Sequence, residues 1–189
     1  MITQLIQTIY WLALSTWFGG SLFIALAAPI VFRTIRDADP ILPHVLSVNL
    51  ENQHGSLLAG SVVGNLLRML SLVQLICACI LLVMILAQWA LMDWGSGIEL
   101  WPAILRSALF VAAVLLLIYD RWFIWPKALR YRQEYIDHAD EPEVANPAKE
   151  QFDHYHHESV RTLFIIIGVL SLIIVLSVRF AVTVTARFH

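Results

Sequence analysis

Four long apolar blocks constrain the fold of this chain more than any other feature. They cover about residues 5–32, 58–92, 103–125 and 160–186. Each block can cross a hydrocarbon core of about 30 Å, which takes roughly 20 helical residues. A soluble domain would carry about a quarter charged residues, whereas this chain carries 14%. The sequence therefore predicts an all-α, polytopic membrane protein, a four-transmembrane-helix bundle with antiparallel neighbours in a single domain, 1–189.

The connections between these blocks differ in character. The stretch Ala25–Pro29 resembles a signal-peptide cleavage site, but no Lys or Arg precedes the first block, so we expect helix 1 to be retained. Loops are predicted at about 34–56, with a short interfacial helix, and at about 128–158. The second loop is acidic and contains two prolines, which predicts a mobile segment after an extension of helix 3 to about Asp137. The connection between the second and third blocks, 93–102, is short, which predicts that helices 2 and 3 are neighbours.

Basic residues are divided unequally between the two ends of the predicted bundle. Those in or beside the two loops are Arg33, Arg36, Arg68, Arg121, Lys127, Arg130, Arg132, Lys149 and Arg161, against Arg106, Arg179 and Arg187 at the other end. Because positive residues accumulate on the cytoplasmic side, we expect both loops in the cytoplasm and both termini outside it. The expected location is a bacterial inner membrane.

Small residues mark two predicted helix-packing faces. Gly19 and Gly20 lie in helix 1, and Gly60 and Gly64 form a GxxxG stripe in helix 2. Such stripes permit the close approach of a neighbouring helix. Arg68 continues the helix 2 stripe one turn further on, where it needs a partner or a route to the headgroups.

The stretch QFDHYHHESVR, residues 151–161, opens the fourth block and concentrates polar side chains. At helical spacing Phe152, His156 and Ser159 share one face. A second, polar face carries His154, Glu158 and Arg161. Titratable groups at the mouth of a membrane helix face protein or water, so this patch is a candidate site. The candidate polar cluster comprises Arg33, Arg68, Asp120, Phe152, His156 and Ser159.

Several kinds of site are compatible with this patch. Arginines with His156 and Ser159 suit an anion or a carboxylate, and here the candidates are Arg33, Arg68 and Arg161. A metal ion could take ligands from His154, His157 and Glu158, with a loop histidine as a further ligand. Haem would need His156 paired with His44 or His54. A hydrogen-bonded network that only closes the bundle is the structural alternative.

Motifs in the four blocks resemble those of the transmembrane-protein-205-like family, a four-helix membrane domain without an assigned function. The motifs are YWLALSTWFGG with APIVFR, GxxxGxxxR, WPKALR and FxxxHxxS. The resemblance marks Trp17, Gly19, Gly20, Pro29, Phe32, Arg33, Pro126, Phe152, His156 and Ser159. The four-helix plan is also similar, more distantly, to copper-resistance D-type proteins and to a haem-dependent protoporphyrinogen oxidase. The oxidase type carries a histidine in helix 1, and this chain has none there.

These features favour a non-enzymatic membrane protein over an enzyme. We expect a transport-like or metal-handling module, or an accessory subunit of a membrane complex. A haem-binding membrane oxidoreductase is the alternative. The expected partners are the lipid bilayer and a homo-oligomer or larger membrane complex, with no nucleic acid, because no basic aromatic stripe is present. Nucleophilic triads and phosphate-binding loops are absent from the sequence.

Overall fold

The computed structural model describes residues 2–41, 53–91 and 100–186, with side chains up to Val178. In these ranges the chain is helical and contains no strand. The elements are α1 (Ile2–Asp37), α2 (His54–Ala90), α3 (Leu100–Tyr119), a π-helical segment (Asp120–Ile124), α4 (Trp125–Asp137) and α5 (Pro142–Ala186). The interfacial helix expected in the first loop falls mainly on residues 42–52, outside the described residues.

The described chain contains four helical rods that are long and apolar enough to cross a membrane. One of these rods comprises α3, the π segment and α4, which run on without a break. This confirms the all-α fold class and an integral membrane protein. The rods are longer than the predicted spans, and each extends beyond the apolar block that identified it. The predicted continuation of helix 3 to Asp137 is confirmed.

The prediction of a mobile segment after Asp137, within the loop at about 128–158, is wrong, because α5 begins at Pro142 and runs through the charged stretch. Pro142 is the first residue of α5, where the missing N–H costs no helical hydrogen bond. Ala145 and Ala148 then pack against Tyr135 and Ala139 in a small buried cluster. Short side chains let the two helices approach, so tertiary packing stabilises a stretch whose charge suggested a loop.

The rods form two hairpins that meet through α1 and α5. Helix α1 packs along α2, α5 packs along α3 and α4, and α1 contacts α5. Helices α2 and α3, predicted to be close neighbours, approach each other at few positions. Trp89 Nε1 donates to Ser107 Oγ at 3.0 Å and links them near the end of α2. The bundle therefore has a seam between α2 and the α3–α4 rod.

Large apolar side chains fill the middle of the bundle. Leu14, Trp17 and Leu170 are completely buried there. Two buried polar side chains are paired there, since Gln74 Nε2 donates to Ser21 Oγ at 3.0 Å and Ser21 Oγ donates to the Trp17 carbonyl at 2.8 Å. Such pairing is required where water cannot enter.

The two glycines of helix 1 differ in their surroundings. A Cβ at Gly20 would lie 3.0 Å from Leu70 Cδ1, so this glycine permits the close approach of α1 and α2. A Cβ at Gly19 would meet no atom of the described chain within 4 Å. Within the described chain Gly20 therefore lies at the contact between α1 and α2, whereas Gly19 faces no described neighbour, and its role in helix packing stays a prediction.

Candidate functional site

A cavity of about 530 Å³, here called the outer cavity, lies in the seam between α2, α4 and α5. It lies at the end of the bundle where α1 ends and α2 begins, here called the basic end. Its polar lining includes Arg68, Arg132, Lys149, Asp153, His156 and Ser159, and its apolar lining includes Phe32, Leu57, Leu67, Trp125, Leu129 and Phe152. Its volume falls in the range of about 300–1,000 Å³ typical of small-molecule sites.

A second cavity of about 70 Å³, here called the inner cavity, lies deeper between α2, α3, the π segment and α5. Asp120 and Gln74 line it. Arg68, His156 and Ser159 line both cavities, so these three side chains stand at their junction. Polar groups thus extend from the basic end towards the middle of the bundle.

Arg68 reaches this junction from α2 and is an exposed residue. It makes no hydrogen bond or ion pair with any residue in the described part of the chain. A guanidinium ion offers five N–H donors in a planar fork that matches carboxylate and phosphate groups. An arginine at the edge of a membrane span requires such a partner, or water. Arg68 is therefore free to bind an anion.

The face of α5 that carries Phe152, His156 and Ser159 lines the outer cavity, as their spacing predicts. The rings of Phe152 and His156 stack with centroids 5.6 Å apart, which orients the imidazole. Ser159 hydrogen-bonds to the Asp120 carboxylate. The structure thus brings four members of the predicted cluster, Phe152, His156, Ser159 and Arg68, to one cavity.

Asp120 begins the π segment, which inserts one residue into the turn that joins α3 to α4. Such insertions occur frequently at functional sites. The Asp120 side chain lines the inner cavity, and its buried Oδ1 has no hydrogen-bond partner within the described ranges. A buried carboxylate oxygen without a partner is costly, which marks the inner cavity as a place for water or another donor.

Hydrogen bonds from side chains of α4 hold this helix against α2 at the basic end of the outer cavity. Arg132 Nη2 donates to the Leu57 carbonyl and to Ser61 Oγ, each at 2.9 Å. Tyr135 OH donates to Gln53 Oε1 at 2.7 Å. The sequence analysis placed Arg132 and Tyr135 in the predicted extension of helix 3 but did not include them among the candidate site residues. Their i, i+3 spacing in a segment without a helix breaker was the signal that could have found them.

The glycine stripe of α2 forms a wall of the outer cavity and does not contact a helix backbone. A Cβ at Gly60 would lie 3.8 Å from Arg132 Nε, and one at Gly64 would lie 3.7 Å from Trp125 Cη2. The role of Gly60 and Gly64 in helix packing stays a prediction, and within the described chain their nearest neighbours are side chains of Phe32, Arg132 and Trp125. The missing side chains of the two glycines leave room for Arg132, for Trp125 and for the cavity itself.

Two predicted anion-binding arginines lie elsewhere. The Arg33 side chain is 86% exposed and lies 3.8 Å from Asp37 in an ion pair on the surface of α1. Arg161 is exposed and lines neither cavity. Including Arg33 in the polar cluster was wrong, because the last turns of α1 place it on the outside of the bundle.

The predicted metal ligands do not converge. His154 Nε2 lies 4.0 Å from Glu158 Oε2, while Glu158 Oε1 accepts a hydrogen bond from Tyr119 OH at 2.8 Å. His157 Nδ1 lies 2.6 Å from the Asp153 carbonyl of its own helix. Within the described residues, no group of three His, Cys, Asp or Glu side chains could hold a metal ion.

The histidines proposed as haem ligands are not brought together in either cavity. His54 is a buried residue at the start of α2, and it lines neither the outer nor the inner cavity. His156 lines both. His44 lies outside the described residues. The two described candidates for axial ligands, His54 and His156, therefore do not share a cavity.

Compared with protein-family models, curated proteins and solved structures, the chain matches none. The resemblance to the transmembrane-protein-205-like family stays a prediction from the sequence.

Proposed function

We propose that this chain is a non-enzymatic, transport-like membrane protein that binds an anionic ligand in the outer cavity. The observation that carries the proposal is the unpaired guanidinium of Arg68 at the junction of two cavities. Arg132 and Lys149 add two more positive charges to the outer cavity, and among the described residues of its lining Asp153 is the one acidic residue. The local charge therefore favours an anion.

Carboxylate and phosphate groups are the anions best suited to this lining. A guanidinium binds either group through two parallel hydrogen bonds, which are stronger than neutral ones. His156 and Ser159 add hydrogen-bonding groups beside Arg68. The inner cavity supports a transport-like role, because it extends the polar lining from Arg68 to Gln74.

The proposal includes an orientation in the membrane. The excess of Lys and Arg at the basic end supports a cytoplasmic location for the outer cavity, with both termini on the other side. In a bacterium this corresponds to the inner membrane. The anion would then bind from the cytoplasmic half of the bilayer or from the cytoplasm.

A thermal-unfolding titration with inorganic phosphate in a neutral detergent tests the proposal. A ligand at ten times its Kd stabilises the folded state by about 1.4 kcal/mol, which corresponds to a rise in Tm of about 3–6 °C for a chain of this size. We expect this rise for the wild-type protein and its loss in Arg68→Gln. Chloride at equal ionic strength controls for general salt effects.

Arg161→Gln is the matched control, because it removes an exposed arginine outside both cavities. It should retain the rise in Tm. If phosphate and acetate both leave the Tm of the wild-type protein unchanged, or if Arg68→Gln responds as the wild type does, the proposal fails.

A further inference from the structure

We infer that the occupant of the outer cavity is an anionic phospholipid from the bilayer, with its phosphate beside Arg68. This inference rests on the proposed anion site and adds the class and the source of the ligand. Three features support it, namely the depth of Arg68, the direction in which the cavity opens and the mixed lining.

The position of Arg68 along α2 places it at the level of the lipid headgroups. The following 23 residues, 69–91, contain no charged side chain. At 1.5 Å per residue they span about 34 Å, slightly more than a hydrocarbon core. Arg68 lies ten residues inside the apolar block 58–92, and a hydrocarbon core of about 30 Å that ends at the far end of α2 would leave Arg68 at the level of the lipid phosphate groups.

The outer cavity opens sideways along the seam. At the basic end, the hydrogen bonds of Arg132 and Tyr135 tie α4 to α2. One to two turns deeper, Asn65 and Leu129 line the cavity and are themselves exposed, Leu129 to 37%. Helices α2 and α3 approach closely at few positions below this level. One side of the outer cavity therefore opens towards the bilayer between α2 and the α3–α4 rod, in addition to the exposed residues Lys149 and Asp153 at its basic end.

The lining combines a cationic group for a phosphate with an apolar wall for an acyl chain. Leu67, Trp125 and Leu129 adjoin Arg68 in the lining of the outer cavity. A site for a small soluble anion needs no such wall, whereas basic pockets between membrane helices bind anionic lipid headgroups. One acyl chain of the phospholipid would lie against this apolar wall, and the other would remain in the bilayer along the seam.

Native mass spectrometry tests this assignment on the full-length protein. The protein is equilibrated in mixed micelles with equal amounts of phosphatidylglycerol and phosphatidylcholine, and the retained lipids are counted. We expect one retained phosphatidylglycerol per chain, and at least a tenfold loss of it in Arg68→Gln. Arg161→Gln should retain lipid as the wild type does.

A second variant tests the lateral route. Asn65→Trp places a large side chain at the exposed mouth of the cavity, so it should reduce lipid retention about tenfold. It should keep the rise in Tm produced by inorganic phosphate, which shows that the variant is folded and that the anion site persists.

The outcomes separate this inference from the proposed function. Equal retention of the two lipids, or phosphate binding without retained lipid, overturns the lipid assignment and leaves the anion site standing. Unchanged lipid retention in Asn65→Trp overturns the lateral route. Absence of both phosphate binding and lipid retention overturns the proposed function as well.

Discussion

Replacement of Gly64 by leucine should weaken ligand binding and stabilise the protein at the same time. Gly64 lies one turn from Arg68 in the wall of the outer cavity. A Cβ there would lie 3.7 Å from Trp125 Cη2, which is an ordinary van der Waals contact, so the backbone can accept a side chain. The methyl groups of the leucine would extend into the space proposed for the ligand.

The size of both effects follows from the structure. Gly64 is in the interior of a helix, where replacement of glycine by a good helix former stabilises by about 0.8–1.0 kcal/mol. The corresponding rise in Tm is about 2–4 °C. Extra methylene groups in a filled site cost about 1–3 kcal/mol, so the affinity should fall roughly five- to 150-fold.

Gly168→Leu is the matched control. A Cβ at Gly168 would meet no atom of the described chain within 4 Å, and the residue is exposed on α5. This variant should gain similar helix stability and bind ligand as the wild type does.

Thermal unfolding by circular dichroism and lipid retention by native mass spectrometry measure the two effects. A folded Gly64→Leu protein that binds phosphate and phosphatidylglycerol with wild-type affinity would refute the reasoning that the glycine stripe shapes a ligand site. A loss of stability would refute the claim that the backbone at Gly64 has room for a side chain.

Three further predictions concern the packing that holds the cavities in place, and each is measured by unfolding in detergent. Ser21→Ala leaves the buried Gln74 amide without its acceptor and should lower the free energy of unfolding by about 1–3 kcal/mol. Gln74→Leu removes one hydrogen bond and should lower it by about 0.6 kcal/mol. A larger loss in Gln74→Leu than in Ser21→Ala would contradict the assignment of this hydrogen bond. Gly20→Val should cost about 1–3 kcal/mol, because its Cβ would lie only 3.0 Å from Leu70, and a neutral result would show that Leu70 moves freely. Leu170→Ala should cost about 2–5 kcal/mol from a fully buried position, and a cost below 1 kcal/mol would contradict the central core.

The sequence alone was enough to predict the four spans and the shared face of α5. Long apolar runs have few alternatives in a membrane, so the spans needed no tertiary information. The spacing of Phe152, His156 and Ser159 defined a helical face, and only its polarity indicated that it would face a protein interior.

The sequence did not reveal the walls of the cavity. A GxxxG stripe that contacts a helix and one that leaves space for Trp125 have the same pattern, and the difference depends on where the α4 rod lies. The π segment depends likewise on tertiary contacts, since Asp120 meets Ser159 of a distant helix.

The start of α5 at Pro142 also depends on tertiary contacts that the sequence does not show. Residues 128–158 are charged, which suggested a loop, but Tyr131 and Tyr155 stack with centroids 5.7 Å apart and join the two helices. Arg132 lies in the predicted extension of helix 3, but its bonds to α2 depend on how the α4 rod packs against that helix, which the sequence does not show.

The most direct test of the anion site is a solid-state NMR measurement of ³¹P–¹⁵N dipolar coupling. The sample is the protein with ¹⁵N-labelled arginine side chains in phosphatidylglycerol bilayers. A charge-assisted hydrogen bond holds the donor nitrogen about 2.7–2.9 Å from a phosphate oxygen, so Arg68 should show strong coupling to phosphorus. We predict that this coupling is present in the wild type and in Arg161→Gln and is lost in Arg68→Gln. A wild-type spectrum in which the arginine signal that disappears in folded Arg68→Gln shows no coupling to phosphorus would contradict the central claim.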